Sequence, residues 1–270
     1  MGNKTSDYNH KNSVILIMAG GLGKRMNSEL PKVLHLIKNK PMIVHVIETS
    51  LSLKIHKIGI IVGKYYAIIK ETLEKYIDRD IIDNKINYIM QNEALGTGHA
   101  ILCCKKFLEK MPIYIHNICI LSGDVPLITT ESINNLLNDT EFCNILIANI
   151  DEPSGYGRIV LKNNKIIKII EEKDCKEEEK QIKFVNSGIY SFNIKILLQY
   201  IDKIDNNNKQ NEYYLTQLFE LFVKNYIPIN YQIVENILEI SGVNDQQQLL
   251  ILENYIKKID IYTKDNINIT

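Results

Sequence analysis

A short apolar run followed at once by a glycine-rich loop constrains this chain more than any other feature. Val14 to Met18 are consecutive apolar residues, the pattern of a β-strand that is buried on both faces. Ala19 to Arg25 then bring three glycines and two cations, and Lys32 adds another cation. Because glycines carry no Cβ atom, they let backbone N–H groups approach an anion closely. The stretch predicts a phosphate-binding loop with solvated cations, although a plain turn between a strand and a helix is the alternative.

Two common phosphate-binding loops do not match this stretch. The Walker loop needs a glycine, four further residues, and then Gly-Lys-Ser/Thr. Here Arg25 follows Gly23-Lys24, and Met18 stands where the first glycine would be. The dinucleotide fingerprint needs a third glycine three residues after Gly23, where this chain has Met26.

The composition favours a protein that acts on small molecules. Of the 270 residues 45% are hydrophobic, and we expect a single domain over the whole chain. The 32 basic and 32 acidic residues give a net charge of zero, so neither nucleic acid nor an anionic membrane is expected as a partner. Residues 1–13 are expected to form a polar N-terminal extension and residues 257–270 a loose tail.

Cysteine usage and the lack of long apolar runs bear on the compartment. The five cysteines include no CxxC pair, and their odd number is typical of reduced thiols in a cytosol-like compartment. Residues 1–13 lack the apolar core of a signal peptide, and no run reaches the ~18 apolar residues of a membrane span. We therefore expect a cytoplasmic location.

Apolar runs alternate with helical patterns along the first half of the chain. Strands are predicted over 57–63, 86–90, 118–121 and 142–150, and helices from Pro41, over 65–77 with an end at 78–80, and over 97–110. This alternation predicts parallel strands joined by right-handed crossovers, as in α/β folds. The second half predicts a hairpin of 159–162 and 166–170, a charged helix over 176–180, a strand over 184–190, and helices over 212–223 and 246–256.

A second glycine-containing segment lies between a predicted strand and a predicted helix. Gly96 and Gly98 permit close backbone approach, and Thr97 between them is expected to cap the helix. Gln91, slightly upstream, carries an amide that both donates and accepts hydrogen bonds. The alternative to a binding segment is an ordinary capped helix start.

Polar residues at two further strands suggest a metal and a sugar. Asp124 follows an apolar strand, and open α/β sheets hold ligands at the carboxyl ends of such strands. Mg²⁺ prefers carboxylates together with substrate phosphates and water, so Asp124 is a candidate ligand unless it only caps a turn. Asn186 to Gly188 interrupt another apolar strand and would need hydrogen-bond partners, which sugar hydroxyls or an acetamide would supply.

Several motifs in one order resemble those of the sugar-1-phosphate nucleotidyltransferases, and most of all the N-acetylglucosamine-1-phosphate uridylyltransferase part of bacterial bifunctional enzymes. They are GLGKRM with PK, QNEALGTGHA, GDVPL, GYGRI, EEKD, NSGIY, EYYLT and GVND, between Val14 and Leu250. The resemblance implies a Rossmann-like nucleotide-diphospho-sugar transferase fold. In that α/β fold a mixed, mostly parallel central sheet is flanked by helices and joined to a small β-rich sugar-binding part.

The resemblance also implies a role for each matching residue. Catalytic roles fall to Arg25, on the leaving pyrophosphate, and to Lys32, on the α-phosphate. Mg²⁺ would be held by Asp124 and Asn244. The nucleotide would be held by Met18, Ala19, Gly20, Gly21, Gln91, Gly96, Thr97, Ser122 and Gly123. The sugar would be held by Gly157, Glu171, Asn186, Tyr214 and Thr216.

The expected reaction converts UTP and N-acetylglucosamine-1-phosphate into UDP-N-acetylglucosamine and pyrophosphate. Glucose-1-phosphate or N-acetylgalactosamine-1-phosphate as substrate, or a non-catalytic sugar-nucleotide-binding subunit, are the alternatives. Gln217 departs from the acid that relatives often have there, which bears on the sugar end of the site. The hexapeptide repeats of the bifunctional enzymes are absent from this sequence. We therefore expect neither acetyl transfer nor a β-helix trimer, and the oligomeric state cannot be inferred.

Overall fold

The computed structural model describes residues 8–21, 23–138 and 140–267. Within these ranges the strands are β1 (Ser13–Met18), β2 (Leu36–Ile37), β3 (Lys40–Pro41), β4 (Lys57–Val62), β5 (Ile86–Met90), β6 (Asn117–Ser122), β7 (Cys143–Asn149), β8 (Arg158–Lys162), β9 (Lys165–Ile170), β10 (Phe184–Asn193) and β11 (Asn230–Ile233). The α-helices are α1 (Met42–Ser52), α2 (Tyr66–Tyr76), α3 (Arg79–Lys85), α4 (Thr97–Cys103), α5 (Lys105–Glu109), α6 (Thr130–Asn138), α7 (Ile194–Tyr200), α8 (Gln217–Lys224) and α9 (Gln246–Ile267).

The main sheet is mixed, as the family resemblance implies. Its strand order is β11-β7-β10-β6-β1-β4-β5, with β8 pairing to β10 and β9 to β8. β1 runs parallel to both β4 and β6, and β4 runs parallel to β5, whereas β10 runs antiparallel between β6 and β7. The carboxyl ends of β1, β4, β5 and β6 therefore lie along one edge of the sheet.

The apolar core covers both faces of this sheet, because alternate side chains of a strand point to opposite faces. Ile15 and Ile17 of β1 pack in one cluster with residues of α1, α2 and α6. Val14 and Leu16 pack in a second cluster with residues of α4, α7 and α8. All four side chains are fully buried, which confirms that this strand is buried on both faces.

Three of the predicted helices differ in the structure. Residues 78–80 do not simply end a helix, because the Asp78 carboxylate accepts a hydrogen bond from the backbone N–H of Asp80 at 2.8 Å and caps a further helix, α3. The helix predicted over 97–110 is interrupted at Cys104 between α4 and α5. The charged helix predicted over 176–180 was wrong, because the chain there forms only a short 3-10 turn, Glu179–Gln181.

The ends of the chain are also more ordered than expected. α9 continues to Ile267, so the prediction of a loose tail was wrong for residues 257–267, and residues 268–270 lie outside the described ranges. His10 is buried and its Nε2 atom lies 2.9 Å from Oδ1 of Asn134 on α6. Residues 8–13 thus pack against the domain, and residues 1–7 of the predicted extension lie outside the described ranges.

Two local predictions were close to the structure. β8 and β9 form the predicted hairpin, and both residues of its turn, Asn163 and Asn164, have positive φ angles of 50° and 57°. Asparagine tolerates that region, which two-residue hairpin turns require. Pro41 directly precedes α1 rather than occupying its first position. No helix in the described part of the chain is long and apolar enough to cross a bilayer.

Candidate functional site

Glycines and polar side chains from the ends of three strands, β1, β5 and β6, gather at the carboxyl edge of the sheet. They surround a cavity of about 270 Å³. Its lining residues are Met18, Gly20, Gly21, Lys32, Val33, Ile61, Gln91, Ala94, Gly96, Thr97, Ala100, Ser122, Asp124 and Glu212. We call this space the nucleotide cavity, because it contains most of the residues that the sequence assigns to the nucleotide.

A second cavity adjoins the first at two shared residues, Met18 and Thr97. It measures about 210 Å³ and is lined by Met18, Thr97, Gly155, Tyr156, Gly157, Glu171, Asn186, Ser187, Gly188 and Tyr190. We call it the sugar cavity. Tyr214 and Thr216 do not line it, although both were assigned to the sugar. They line a separate cavity of about 270 Å³ that shares Glu171 with the sugar cavity.

A larger cavity of about 1190 Å³ lies beside β7, β11 and the loop that precedes β11. None of the predicted site residues lines it. Size alone therefore does not locate the site, whereas the convergence of glycines and charged groups does.

The glycine loop is shaped by close contacts at Gly20 and Gly23. Gly23 has a φ angle of +57°, and a Cβ atom there would lie 2.7 Å from Cβ of Lys32. A Cβ atom at Gly20 would lie 3.3 Å from Oε1 of Gln91, whereas Gly21 faces open space. The loop therefore brings Lys32 and Gln91 against the cavity wall. Arg25 lies in the turn Lys24–Met26, and its side chain is exposed.

Two residues assigned to the nucleotide contribute to the sheet instead. The N–H of Ala19 donates to the carbonyl of Ile61 at 2.9 Å, and the Ala19 side chain is buried. The N–H of Gly123 donates to the carbonyl of Met18 at 3.0 Å, so neither N–H is available to an anion. A Cβ atom at Gly123 would lie 3.2 Å from the same carbonyl, and this close approach explains the glycine.

The cation centre consists of Lys32, Asp124 and Asn244, which come from three distant parts of the chain. The Lys32 ammonium forms an ion pair with Asp124, and its Nζ donates to Oδ1 of Asn244 at 3.1 Å. The side chains of Lys32 and Asp124 are only 18% and 7% exposed. Lys32 is therefore partly buried and paired, and its predicted place on a solvated loop was wrong. The hydroxyl of Ser122 also donates to Asp124.

The loop before α9 is built to reach this centre. The N–H of Val243 donates to the backbone carbonyl of Asp124 at 3.0 Å. A Cβ atom at Gly242 would lie 3.2 Å from Oδ2 of Asp124, so a larger residue would crowd the carboxylate. Gln248 accepts a hydrogen bond from the N–H of Asn244 at 2.7 Å and fixes the loop to the first turn of α9.

The segment around Thr97 has a different role from the predicted cap. Gly96, with a φ angle of +107°, occupies the N-cap of α4, and Thr97 is the first helical residue. The Thr97 hydroxyl oxygen accepts a hydrogen bond from the N–H of Leu215 at 3.1 Å. The N–H of Gly98 donates to the carbonyl of Tyr213 at 2.7 Å. The two glycines therefore let residues 213–215 pack against the start of α4.

Glu171 and Asn186 lie in the sugar cavity, but both have partners within the protein. Oε1 of Glu171 accepts a hydrogen bond from the Thr216 hydroxyl at 2.7 Å. Burial raises the pKa of Glu171 above its usual value, and the Thr216 bond partly offsets that rise. Nδ2 of Asn186 donates to the Tyr190 hydroxyl at 2.7 Å, and its oxygen accepts from the N–H of Gly188 at 3.0 Å. The polar stretch in β10 thus already has hydrogen-bond partners within the protein, including the carbonyl of Leu146 on β7, which accepts from the Ser187 hydroxyl.

A buried ion pair between Arg158 and Glu172, which the sequence did not predict, lies next to the sugar cavity. Arg158 is 1% exposed, and its guanidinium donates to Oε2 of Glu172 at 2.6 Å and to the carbonyl of Tyr156. Both residues stand next to predicted site residues, Gly157 and Glu171. Their positions within the GYGRI and EEKD motifs were the available signal, but opposite charges 14 residues apart do not by themselves predict a buried pair.

A family model described as nucleotidyl transferase matches residues 14–256. The chain belongs to this family. It is 40% identical over 246 residues to the bifunctional protein GlmU of Clostridium botulinum (strain Eklund 17B / Type B), and 42% identical over 248 residues to that of Fervidobacterium nodosum. These alignments cover 90% of this chain but 51% and 50% of the relatives, so the chain spans about half the length of the curated relatives it matches.

Solved structures of nucleotidyltransferases share the fold. A putative glucose-1-phosphate thymidylyltransferase from Bacillus anthracis superimposes with a TM-score of 0.69 at 20% identity, covering 90% of this chain and 94% of that one. A UDP-glucose pyrophosphorylase complexed with UDP-glucose gives 0.71 at 18% identity, covering 91% and 98%. These likenesses confirm the Rossmann-like nucleotide-diphospho-sugar transferase fold, with its mostly parallel central sheet flanked by helices.

Proposed function

We propose that this chain transfers a uridylyl group from UTP to N-acetylglucosamine-1-phosphate, which yields UDP-N-acetylglucosamine and pyrophosphate. The observation that carries the proposal is the cation centre of Lys32, Asp124 and Asn244, which meets a glycine loop at the wall of the nucleotide cavity, next to the sugar cavity. The choice of uridylyl and N-acetylglucosamine is supported by the motifs and by about 40% identity to GlmU proteins.

The residues of the cation centre suit a divalent cation. One carboxylate and one amide oxygen already converge on a single positive group, the Lys32 ammonium. The described residues contain no cluster of three or more His, Cys, Asp or Glu side chains that could hold a metal. Mg²⁺ suits a site of this kind, because substrate phosphates and water complete its coordination. When bound by Asp124 and Asn244, it would neutralise phosphate charge and orient the attack.

The reaction depends on positioning and charge neutralisation rather than covalent catalysis. An oxygen of the sugar phosphate attacks the α-phosphorus of UTP, and the bond from that phosphorus to pyrophosphate breaks on the opposite side. Lys32 lines the nucleotide cavity, and its ammonium is proposed to contact the α-phosphate as a point charge. Arg25 is proposed to bind the leaving pyrophosphate through two parallel N–H bonds, and its exposure leaves it free to do so.

The two adjoining cavities are proposed to accommodate the two halves of the product. Met18, Gly20 and Gly21, together with Gln91, Gly96 and Thr97, would hold the nucleotide. Gly157, Glu171 and Asn186 would hold the sugar, with the oxygens of Glu171 accepting bonds from its hydroxyls. Gln217 does not line the sugar cavity, and its Oε1 accepts a hydrogen bond from the N–H of Asp205 at 2.7 Å. Gln217 lines instead the separate cavity of Tyr214 and Thr216, so the departure there bears on that cavity and on the chain around Asp205.

The test is pyrophosphate release from UTP in the presence of Mg²⁺ and one sugar phosphate at a time. N-acetylglucosamine-1-phosphate is expected to give the highest kcat/KM. A preference for glucose-1-phosphate or N-acetylgalactosamine-1-phosphate would change the substrate and keep the reaction class. Tight UDP-sugar binding without any turnover would instead support a non-catalytic binding subunit. Because one methyl-sized pocket difference is worth only about 1–3 kcal/mol, all three sugars need to be compared quantitatively.

A further inference from the structure

We propose that His99 is a positioning residue that fixes the amide of Gln91, so that only the amide oxygen faces the nucleobase and UTP is selected over CTP. The inference rests on the proposed function in that the nucleotide cavity is taken to bind a pyrimidine nucleotide. It concerns a residue that lines neither the nucleotide cavity nor the sugar cavity and that the proposed reaction does not otherwise use.

The Gln91 amide nitrogen carries two hydrogens, and each needs an acceptor. Gln91 follows β5 and is 9% exposed. Its Nε2 lies 3.2 Å from the carbonyl oxygen of Gly96 and 3.2 Å from Nδ1 of His99. A carbonyl oxygen can only accept, so the nitrogen of the amide must face Gly96. If Nδ1 of His99 accepts the second hydrogen, no amide N–H remains for a ligand.

The surroundings of His99 are consistent with an acceptor at Nδ1. A neutral imidazole carries one proton, and accepting at Nδ1 places that proton on Nε2. Nε2 lies 3.9 Å from Sγ of Cys103, a weak acceptor on the next turn of α4. The imidazole also lies against the Tyr213 ring, with centroids 6.3 Å apart. Tyr213 is itself held by backbone hydrogen bonds to Leu95 and Gly98.

The free atom of the amide is then Oε1, and it faces the glycine loop. A Cβ atom at Gly20 would lie 3.3 Å from Oε1, and both residues line the nucleotide cavity. An oxygen that only accepts matches the N3–H of uracil, whereas N3 of cytosine is itself an acceptor. A buried polar pair of two acceptors is unfavourable, and sites built around one hydrogen-bond pattern discriminate on that basis. His99 thus contributes to base selection without touching the base.

The test compares UTP and CTP binding to the full-length chain and three variants by calorimetry. His99→Leu removes the acceptor, His99→Asn keeps an acceptor close to the Nδ1 position, and Cys103→Ala changes only the other side of the ring. Loss of one hydrogen-bonded anchor is expected to weaken UTP binding about three- to tenfold. We expect His99→Leu to reduce the UTP-to-CTP preference by about that factor, with kcat nearly unchanged and KM for UTP raised. His99→Asn and Cys103→Ala are expected to keep the preference within about twofold.

Equal weakening of UTP and CTP in His99→Leu would assign His99 a structural role and overturn the proposal. An unchanged preference in His99→Leu, or a loss in His99→Asn as large as in His99→Leu, would overturn it as well. A wild-type chain that binds UTP but turns over no sugar phosphate would contradict the proposed function and leave the binding comparison valid. A wild-type chain that does not prefer UTP would contradict the selection itself.

Discussion

Lys32→Met is the most informative substitution in the cation centre, because it removes the ammonium and keeps most of the side-chain stem. In the wild-type structure Asp124 has two close partners, the Lys32 ammonium and the Ser122 hydroxyl. In the variant the Asp124 carboxylate, whose side chain is 7% exposed, keeps only the Ser122 hydroxyl as a close partner. Breaking a buried ion pair from one side costs about 3–5 kcal/mol, but Lys32 is partly exposed and Asp124 keeps a partner, so we expect about 2 kcal/mol.

The structure also predicts how Mg²⁺ changes this loss. Lys32 contacts the same two side chains, Asp124 and Asn244, that are proposed to hold the metal. A divalent ion that enters must therefore displace the ammonium, which then becomes available to the α-phosphate. Without this competitor, the variant should bind Mg²⁺ more tightly than the wild type in the absence of nucleotide. Ligands that bind only the folded state stabilise it by mass action, so Mg²⁺ should raise the variant's melting temperature more.

The assay combines thermal unfolding with initial rates. For a chain of this length about 2 kcal/mol corresponds to a melting temperature lowered by roughly 4–8 °C without metal. We expect saturating Mg²⁺ to recover most of that difference, and kcat/KM to fall by about 10²-fold because one preorganised charge is lost in the transition state. Lys75→Met, at an exposed pair with Glu71, is the control and should change neither quantity. Near-normal turnover, or the same Mg²⁺ shift as in the wild type, would refute the reasoning.

Four further predictions concern the charged groups around the site. Asp124→Asn should abolish Mg²⁺-dependent turnover while UTP binding persists, and wild-type activity would place the metal elsewhere. Arg25→Ala should lower kcat/KM by about 10²-fold with an unchanged melting temperature, since its side chain is exposed. Glu172→Gln should destabilise the fold by about 3 kcal/mol in urea unfolding, because Arg158 stays buried without its counter-charge. The raised pKa of Glu171 means that the folded state binds its proton more tightly than the unfolded state. Stability should therefore fall as pH rises from the unfolded value of about 4.5 through the raised folded value, and Glu171→Gln should remove that fall.

Local patterns in the sequence were enough for the centre of the fold. Val14 to Met18 form a fully paired strand because an unbroken apolar run has no stable place except between two layers of helices. The same local view failed at Asp78, where an aspartate that ends one helix also caps the next. It failed again beyond Ile256, where a polar stretch continues as α9. Polarity alone does not distinguish an exposed helix from a loose tail.

The candidate site was predicted less completely, because its geometry depends on residues far apart in the chain. Asp124 could be singled out from its place at a strand end, but Asn244 was assigned only through resemblance. Periodicity cannot show that these two side chains share a cation. Thr97 was expected to cap a helix, yet its hydroxyl binds a segment more than a hundred residues away. The contact between His99 and Gln91 was not predicted either, because it depends on how the start of α4 lies relative to the end of β5.

The most direct test of this account is the reaction itself, followed with purified chain, UTP, N-acetylglucosamine-1-phosphate and Mg²⁺. Chromatography of the nucleotides and a pyrophosphate assay should detect UDP-N-acetylglucosamine and pyrophosphate in equal amounts. Both products should disappear when Asp124→Asn replaces the wild-type chain or when the metal is chelated. Product formation that survives in Asp124→Asn, or no product with any of the three sugar phosphates despite UTP binding, would contradict the assignment of this edge of the sheet as a uridylyl-transfer site.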